Sequence, residues 1–391
     1  MPIALDATRL ILEAEASTGL RDWGGDCWRH PFEVLIDDLN THAELNAVGR
    51  ARVDRRLRDT LNSRLLLVED RKRYPAIADE PIIAPIFVAG LPRAGSTFFH
   101  NMLAADPANR SPMTWEIFYP SPPPEAATYD TDSRAGLCAE ALDFEGFKGA
   151  DIQQIHPFDA RRPEECNFMW ELSFLTVNYM AFWNVPNYTK LLFETDMTPV
   201  YEEERALLQH LQHRFKRDRW VLKTPAHNLW IDTLFKVFPD ARVVLCHRDP
   251  AKVLASLSNN LAVNRSLFSD VVPPGSFGML DLQAAGMAKV AAKRAEPGLA
   301  DRFFDAHFLD VQADPIGVLR RCYDQFGIVL PSERENRVRD WIAADRAAHA
   351  KTGTHSYEME SFGLDYALVD AKMGGYIRDF NVALERPART A

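Results

Sequence analysis

The stretch Ile86-Phe87-Val88-Ala89-Gly90-Leu91-Pro92-Arg93-Ala94-Gly95-Ser96-Thr97 decides how the rest of the chain is read. Its first four residues, after Pro85, form a short continuous apolar run, the form of a strand buried on both faces. Gly90 and Gly95 then bracket a tight turn, and a helical pattern opens at Ser96. Glycines at that spacing let backbone amides turn inward, and a helix N-terminus aimed at the same point adds partial positive charge. Strand, loop and helix together predict an anion cradle suited to phosphate. A nucleotide triphosphatase would carry G-x-x-x-x-G-K-[ST] here, with its lysine on the terminal phosphates. Ser96 occupies the place of that lysine, and the cation of the loop is Arg93. The competing reading is a tight strand-to-helix turn that holds no ligand.

Outward from this loop the pattern repeats. Val221-Leu222 and Val243-Val244-Leu245-Cys246 are further short buried-strand candidates, each leading through a loop into a helix, and Phe303 to Val311 is a fourth. Asp314-Pro315 opens a helix with the apolar stripe Ile316, Leu319, Tyr323 and Phe326, the acid as N-cap and the proline in the first turn. Strands alternating with helices predict an α/β fold with a central, mostly parallel sheet flanked by helices. Residues 1–84 read as a helical N-terminal extension, with stripes Ala7, Leu10, Ile11, Ala14 and Phe32, Leu35, Ile36, Leu39. A long helix follows, with Leu57, Leu61, Leu65 and Val68 on one face and Arg50, Arg52, Arg55, Arg56, Arg58 and Arg64 on the others. These arginines are expected on a solvated surface, with an anion-facing patch as the competing reading. Residues 85–335 form the predicted core, interrupted at 110–215 by a helical, aromatic-rich insertion capping the sheet edge. Residues 336–391 read as a helical tail packing on that core.

Two other strand ends carry cations. Lys223-Thr224-Pro225-Ala226-His227 follows one strand; His247-Arg248-Asp249-Pro250 follows another and leads into a helix bearing Ser256. Ligands of open α/β sheets bind at the carboxyl ends of strands. An arginine fork with a nearby hydroxyl suits a phosphate monoester.

Composition narrows the partners. Of 391 residues, 55 are acidic and 45 basic, a net charge of −10, which argues against a nucleic-acid partner. No run approaches the roughly 18 apolar residues of a membrane span. Asp6, Arg9, Glu13 and Glu15 rule out a signal-peptide pattern in the first twenty residues. The cysteines Cys27, Cys138, Cys166, Cys246 and Cys322 show no metal-binding spacing, so a reducing, cytoplasmic setting without a metal site is expected. The helical N-terminus offers a surface for homo-oligomer formation.

Taken together, these segments resemble the sulfotransferases that use 3′-phosphoadenosine 5′-phosphosulfate as donor. Pro92, Arg93, Ala94, Gly95, Ser96 and Thr97 are similar to that family's 5′-phosphosulfate loop, P-[KR]-x-G-[ST]-[ST]. Arg248 with Ser256 resembles its 3′-phosphate site, and Lys223-Thr224-Pro225 its K-[ST]-P element, whose lysine assists sulfuryl transfer. The resemblance covers about Ile86 to Ile328 and is nearest a bacterial branch, with Pro163-Glu164-Glu165 and His247-Arg248-Asp249-Pro250 as further matches. Arg93 departs from the lysine of the cytosolic small-molecule branch. Pro225 falls where that branch keeps a catalytic histidine, and its C-terminal glycine-rich loop has no counterpart, leaving closure over the donor (Gly353 to Gly375) unassigned.

The resemblance implies a P-loop-like sulfotransferase fold and metal-free transfer of a sulfuryl group to a hydroxyl of a small acceptor alcohol or phenol. Arg93 and Lys223 would stabilise the developing charge. A hydroxyl acceptor needs a base. Glu116 leads on motif position, Glu165 and His227 are rivals, and His156 stands behind them. Each also has a structural reading: Glu116 as a cap or ion pair, His227 as a helix-start contact. Phe168, Trp170, Phe174, Tyr179, Phe182, Trp183 and Tyr188 read first as core and second as the lining of a hydrophobic acceptor pocket. Two other functions remain open. A P-loop kinase or nucleotide hydrolase needs the absent lysine and a magnesium carboxylate, for which Asp310 is a weak candidate; the other is a non-catalytic nucleotide-binding module.

Overall fold

The computed structural model describes residues 4–272, 278–349 and 359–386. The chain divides into two compact units. One comprises Met1–Ile82, Ser111–Arg217 and Leu261–Pro273; the other comprises Ile83–Arg110, Asp218–Asn260 and Pro274–Ala391.

The second unit holds the sheet. Its strands are β1 (Ile86–Gly90), β2 (Asn109–Arg110), β3 (Arg219–Lys223), β4 (Arg242–His247) and β5 (Phe303–His307). They lie in the order β2-β3-β1-β4-β5, every neighbouring pair parallel. All five residues of β1 and all but the first of β4 are buried, as apolar runs in a parallel sheet covered on both faces should be. The chain leaves β1 toward β3 on one side and reaches β4 on the other, so the strand order switches at β1. A crevice outside the carboxyl ends is the expected ligand position at such a switch. Parallel direction also brings Gly90, Lys223 and Arg248 to one edge of the sheet, because each sits at or just beyond its strand's last residue.

The fourth strand is shorter than its apolar pattern suggests. Its register with β4 ends at His247↔His307, and without a partner beyond that point the chain turns into the helix Phe308–Ala313. Asp310 is therefore an exposed helical residue, three positions beyond the last residue of β5. β2, two polar residues paired with Arg219 and Trp220, has no apolar run to announce it. The Asp314 cap forms as read: its carboxylate accepts from Gly317 N at 2.9 Å. Helices Ser332–His349 and Tyr366–Asp379 belong to this unit. Gly353 lies outside the described residues, whereas Gly375 is helical.

The first unit is helical and includes helices Ala7–Thr18, Arg29–Thr41 and Ala47–Arg73. Leu57, Leu61 and Leu65 are fully buried along the long helix, as its stripe predicts. Two of its arginines are not on a solvated surface. Arg56 is buried, with Nε and Nη2 on Glu171 at 3.0 and 2.6 Å and Nη1 on Glu145, and the rings of Phe118, Phe147, Phe168 and Phe182 surround it. Arg64 is buried too, donating to Glu203 at 2.9 Å and to the backbone of Trp23 and Leu172. A buried arginine needs carboxylate partners. Those partners lie more than a hundred residues away or nearly so, beyond what one helix's periodicity can reveal.

Candidate functional site

The loop after β1 departs from extended geometry at three residues: Gly90 (φ 94°), Arg93 (φ 61°) and Gly95 (φ 86°). Left-handed residues spaced along a turn curl successive N–H groups toward one side and form an anion-binding concavity. Gly90 is obligatory for a second reason. A Cβ there would lie 2.3 Å from the carbonyl oxygen of Cys246 on β4. The nine-residue helix Ser96–Ala104 starts directly after Gly95 and points its N-terminus into the same concavity.

Polar side chains converge on this loop from the other strand ends. Arg93 Nε donates to Ser256 Oγ at 3.2 Å, while Arg248 Nη1 reaches the Arg93 carbonyl at 3.5 Å. Lys223, almost completely buried, donates from Nζ to Thr97 Oγ1 at 3.1 Å. The sheet unit thus brings together Pro92 to Thr97, Lys223, Arg248 and Ser256. The Arg248 guanidinium stacks on Phe308, 3.8 Å from the ring centre, and grips Glu385 through two hydrogen bonds of 2.8 and 3.0 Å. The same C-terminal segment is fastened by Asp249, which accepts from the Glu385 backbone N–H at 2.8 Å.

His227 lies in this unit with no exposed surface, its ring edge-on to Phe87 at 4.9 Å. Burial holds its pKa down to about 3, so the ring is neutral. The helix start beside it is capped by Thr224, whose hydroxyl accepts from Ala226 N at 3.3 Å.

The carboxylate candidates belong to the helical unit. Glu116 is fully buried on the short helix Thr114–Phe118; its Oε2 accepts from the Met113 N–H and the Tyr129 hydroxyl, both at 2.9 Å. It therefore caps its own helix, as its structural reading anticipated. Glu165 is only half-buried at the start of the 3₁₀ helix Cys166–Ser173. Its neighbour Glu164 is the buried one, paired with His156 Nε2 at 3.0 Å. The aromatic run from Phe168 to Tyr188 is buried throughout, with Tyr179 stacked on Trp183 at 5.0 Å. A cavity of about 30 Å³ beside Phe118, Phe168 and Arg56 is lined on its polar side by Glu145 and Glu171.

Two functional candidates had no usable signal in the sequence. Glu385 lies 137 positions from Arg248, with no motif around it. Asn228 follows His227 on the 3₁₀ turn Pro225–Trp230, and its side chain hydrogen-bonds both backbone groups of Gly90. The K-T-P segment pointed to the right turn, but polar side chains in short turns are too common to single one out.

The chain is similar to known proteins over most of its length. Residues 85–332, more than half the chain, match the model of the sulfotransferase family. Omega-hydroxy-beta-dihydromenaquinone-9 sulfotransferase Stf3 of Mycobacterium bovis is 27% identical over 299 residues, covering 72% of this chain and 71% of the relative. Sulfotransferase STF9 of Mycobacterium avium superposes with a TM-score of 0.87 at 29% identity, over 98% of this chain and 99% of the other. STF1 of Mycobacterium tuberculosis gives a TM-score of 0.83, also at 29% identity, over 96% and 100%. Because the family model spans residues 85–332, more than half of the chain, the chain belongs to the sulfotransferase family.

Proposed function

We propose that this sulfotransferase moves a sulfuryl group from 3′-phosphoadenosine 5′-phosphosulfate to the hydroxyl of a small hydrophobic alcohol or phenol. The observation that carries the reading is the convergence of Arg93, Lys223, Arg248 and Ser256 on a loop with serine in place of the nucleotide-hydrolase lysine. The amides of Arg93 to Thr97 hold the 5′-phosphate. Lys223 and Arg93 stabilise charge on the bridging and equatorial oxygens during in-line transfer. A sulfuryl group carries less negative charge than a phosphoryl group, so protein cations suffice where phosphoryl transfer recruits magnesium.

Arg248 and Ser256 bind the 3′-phosphate. The Glu385 carboxylate now holds the Arg248 fork in the two-pronged manner a phosphate would adopt, so donor binding exchanges one anion for another. Glu116 is the general base, a buried carboxylate oriented by two hydrogen bonds. A histidine with a pKa near 3 is too weakly basic for the task, which counts against His227. The name of Stf3, which acts on a hydroxylated menaquinone derivative, supports an apolar acceptor. None of the five cysteines is in a disulfide, in keeping with a cytoplasmic setting, and no helix among the described residues is long and apolar enough to cross a membrane.

The test is a thermal-shift titration with 3′-phosphoadenosine 5′-phosphate and, separately, with Mg-ATP. Stabilisation by the former alone is expected; stabilisation by Mg-ATP alone overturns the donor assignment in favour of a kinase or hydrolase. Glu116→Gln should lower turnover by about 10²-fold with nucleotide affinity kept. Unchanged turnover in that variant transfers the role of base to Glu165.

A further inference from the structure

We propose that Asn228 is a positioning residue that replaces a missing strand at the entrance of the phosphate loop; the inference rests on the donor-binding role given above to that loop. β3 pairs with β1 only as far as Lys223↔Val88, whereas on the opposite side β4 accompanies β1 to Cys246↔Gly90. Alternate residues of a strand direct their backbone groups to opposite sides. Leu91 N–H bonds Cys246 on the β4 side at 3.2 Å, so the N–H and C=O of Gly90 face the side where β3 has ended. Asn228 meets both. Its Oδ1 accepts from Gly90 N at 3.2 Å and its Nδ2 donates to Gly90 O at 2.7 Å.

A side-chain amide presents a carbonyl acceptor and an N–H donor side by side, with a second N–H to spare. At this position it continues the ladder for one residue beyond the end of β3. Gly90 and Asn228 are both buried, so neither backbone group has water as an alternative. Asn228 is itself seated by the helix Met279–Arg294. Its Nδ2 lies 3.5 Å from Met287 Sδ, and its Cβ lies 3.2 Å from where a Cβ on Gly286 would be. Asn228 and Lys223 share one short segment across Thr224-Pro225, and Lys223 bonds Thr97 at the far end of the loop. One side chain therefore sets the first residue of the phosphate loop relative to the lysine that acts on the transferred group. A misplacement of about 1 Å at a reacting centre costs up to roughly 10²-fold in rate.

Two variants test this. Asn228→Asp keeps the acceptor for Gly90 N–H and removes the donor to Gly90 O. Gly286→Ala leaves the loop and Asn228 intact in sequence but presses on Asn228 from the neighbouring helix. The measurements are affinity for 3′-phosphoadenosine 5′-phosphate by calorimetry, kcat and KM for transfer, melting temperature, and hydrogen exchange of the loop amides without ligand. Asn228→Asp is expected to weaken nucleotide binding about tenfold, to lower kcat by about 10- to 100-fold, and to speed exchange selectively over residues 88–97. Gly286→Ala should weaken binding several-fold with the melting temperature held or raised, since alanine favours the helix.

Normal loop exchange in both variants overturns the inference, as does faster exchange spread evenly over the sheet unit, the mark of a merely structural role. If the wild-type chain itself binds no 3′-phosphonucleotide, the donor reading has failed, and the ligand-free exchange measurement still decides the part played by Asn228.

Discussion

The helical unit and the sheet unit both hold cations that are buried or half-buried, and they do so in opposite ways. Arg56 is shared by Glu145 and Glu171 and ringed by four phenylalanines; Arg64 is fastened to Glu203 and two backbone carbonyls. These partners belong to the fold, and burial, helped by the neighbouring Glu171 carboxylate, raises the pKa of Glu145 against the lowering effect of Arg56. In the sheet unit, Lys223 meets the hydroxyl of Thr97, Arg93 meets that of Ser256, and Arg248 meets a partly exposed Glu385. Hydroxyls and a partly exposed carboxylate are partners that an incoming anion can replace. Cations held through partners that an anion can displace suit a binding site, and cations sealed by buried carboxylates suit architecture.

Removing Arg56 should have the largest effect on stability. Arg56→Ala leaves two buried carboxylates uncompensated and is expected to cost about 3–5 kcal/mol, read as a large fall in the melting temperature. Combining it with Glu145→Gln and Glu171→Gln should restore part of the loss. A small effect of the single substitution would break the contrast between the units. Lys223→Ala should do the reverse, lowering transfer by roughly 10²- to 10³-fold at a temperature where circular dichroism shows the fold intact. A variant that unfolds while the remaining folded protein turns over normally would make Lys223 another architectural cation.

Glu385→Gln sharpens the comparison further. Loss of the competing carboxylate should tighten binding of 3′-phosphoadenosine 5′-phosphate by several-fold up to about tenfold and leave adenosine 5′-monophosphate binding unchanged. Equal changes for both nucleotides would place the 3′-phosphate elsewhere than the Arg248 fork.

The smallest effect concerns pH. Glu204, buried in the helical unit and accepting from Trp170 Nε1 at 2.8 Å, has its pKa pushed up to about 7 by burial. A carboxyl raised in the folded state binds more protons there than in the unfolded chain. Its contribution to stability is therefore complete below about pH 4.5 and is lost as pH rises toward 7. Glu204→Gln should thus stabilise the protein slightly at pH 8 and little at pH 5, by thermal denaturation at the two values. A uniform effect at both pH values would show that Glu204 is charged throughout.

Much of the sheet unit could be read before the structure, because its signals are local. A buried parallel strand is a run of apolar residues, a phosphate loop is two glycines at fixed spacing, and a strand-end cation follows its strand directly. β5 was overextended because apolar character continues past His307 after its pairing partner has ended. In the helical unit, periodicity identified the stripe Leu57, Leu61 and Leu65 but assigned Arg56 and Arg64 to the surface. A helix's own pattern records which face is apolar, and it does not record which distant carboxylates will close over a charge.

The division follows the range of the interactions. The sequence by itself determined the strand-loop-helix at Ile86–Ala104, the parallel α/β class and the cations at the ends of β3 and β4, all consequences of neighbours within a few residues. Only the tertiary structure decided that Asn228 completes the ladder at Gly90, that Glu385 holds Arg248, and that Arg56 is sealed between Glu145 and Glu171. Each of those pairings joins residues about 90 to 140 positions apart and depends on burial to have its strength, and burial exists only once the chain has folded.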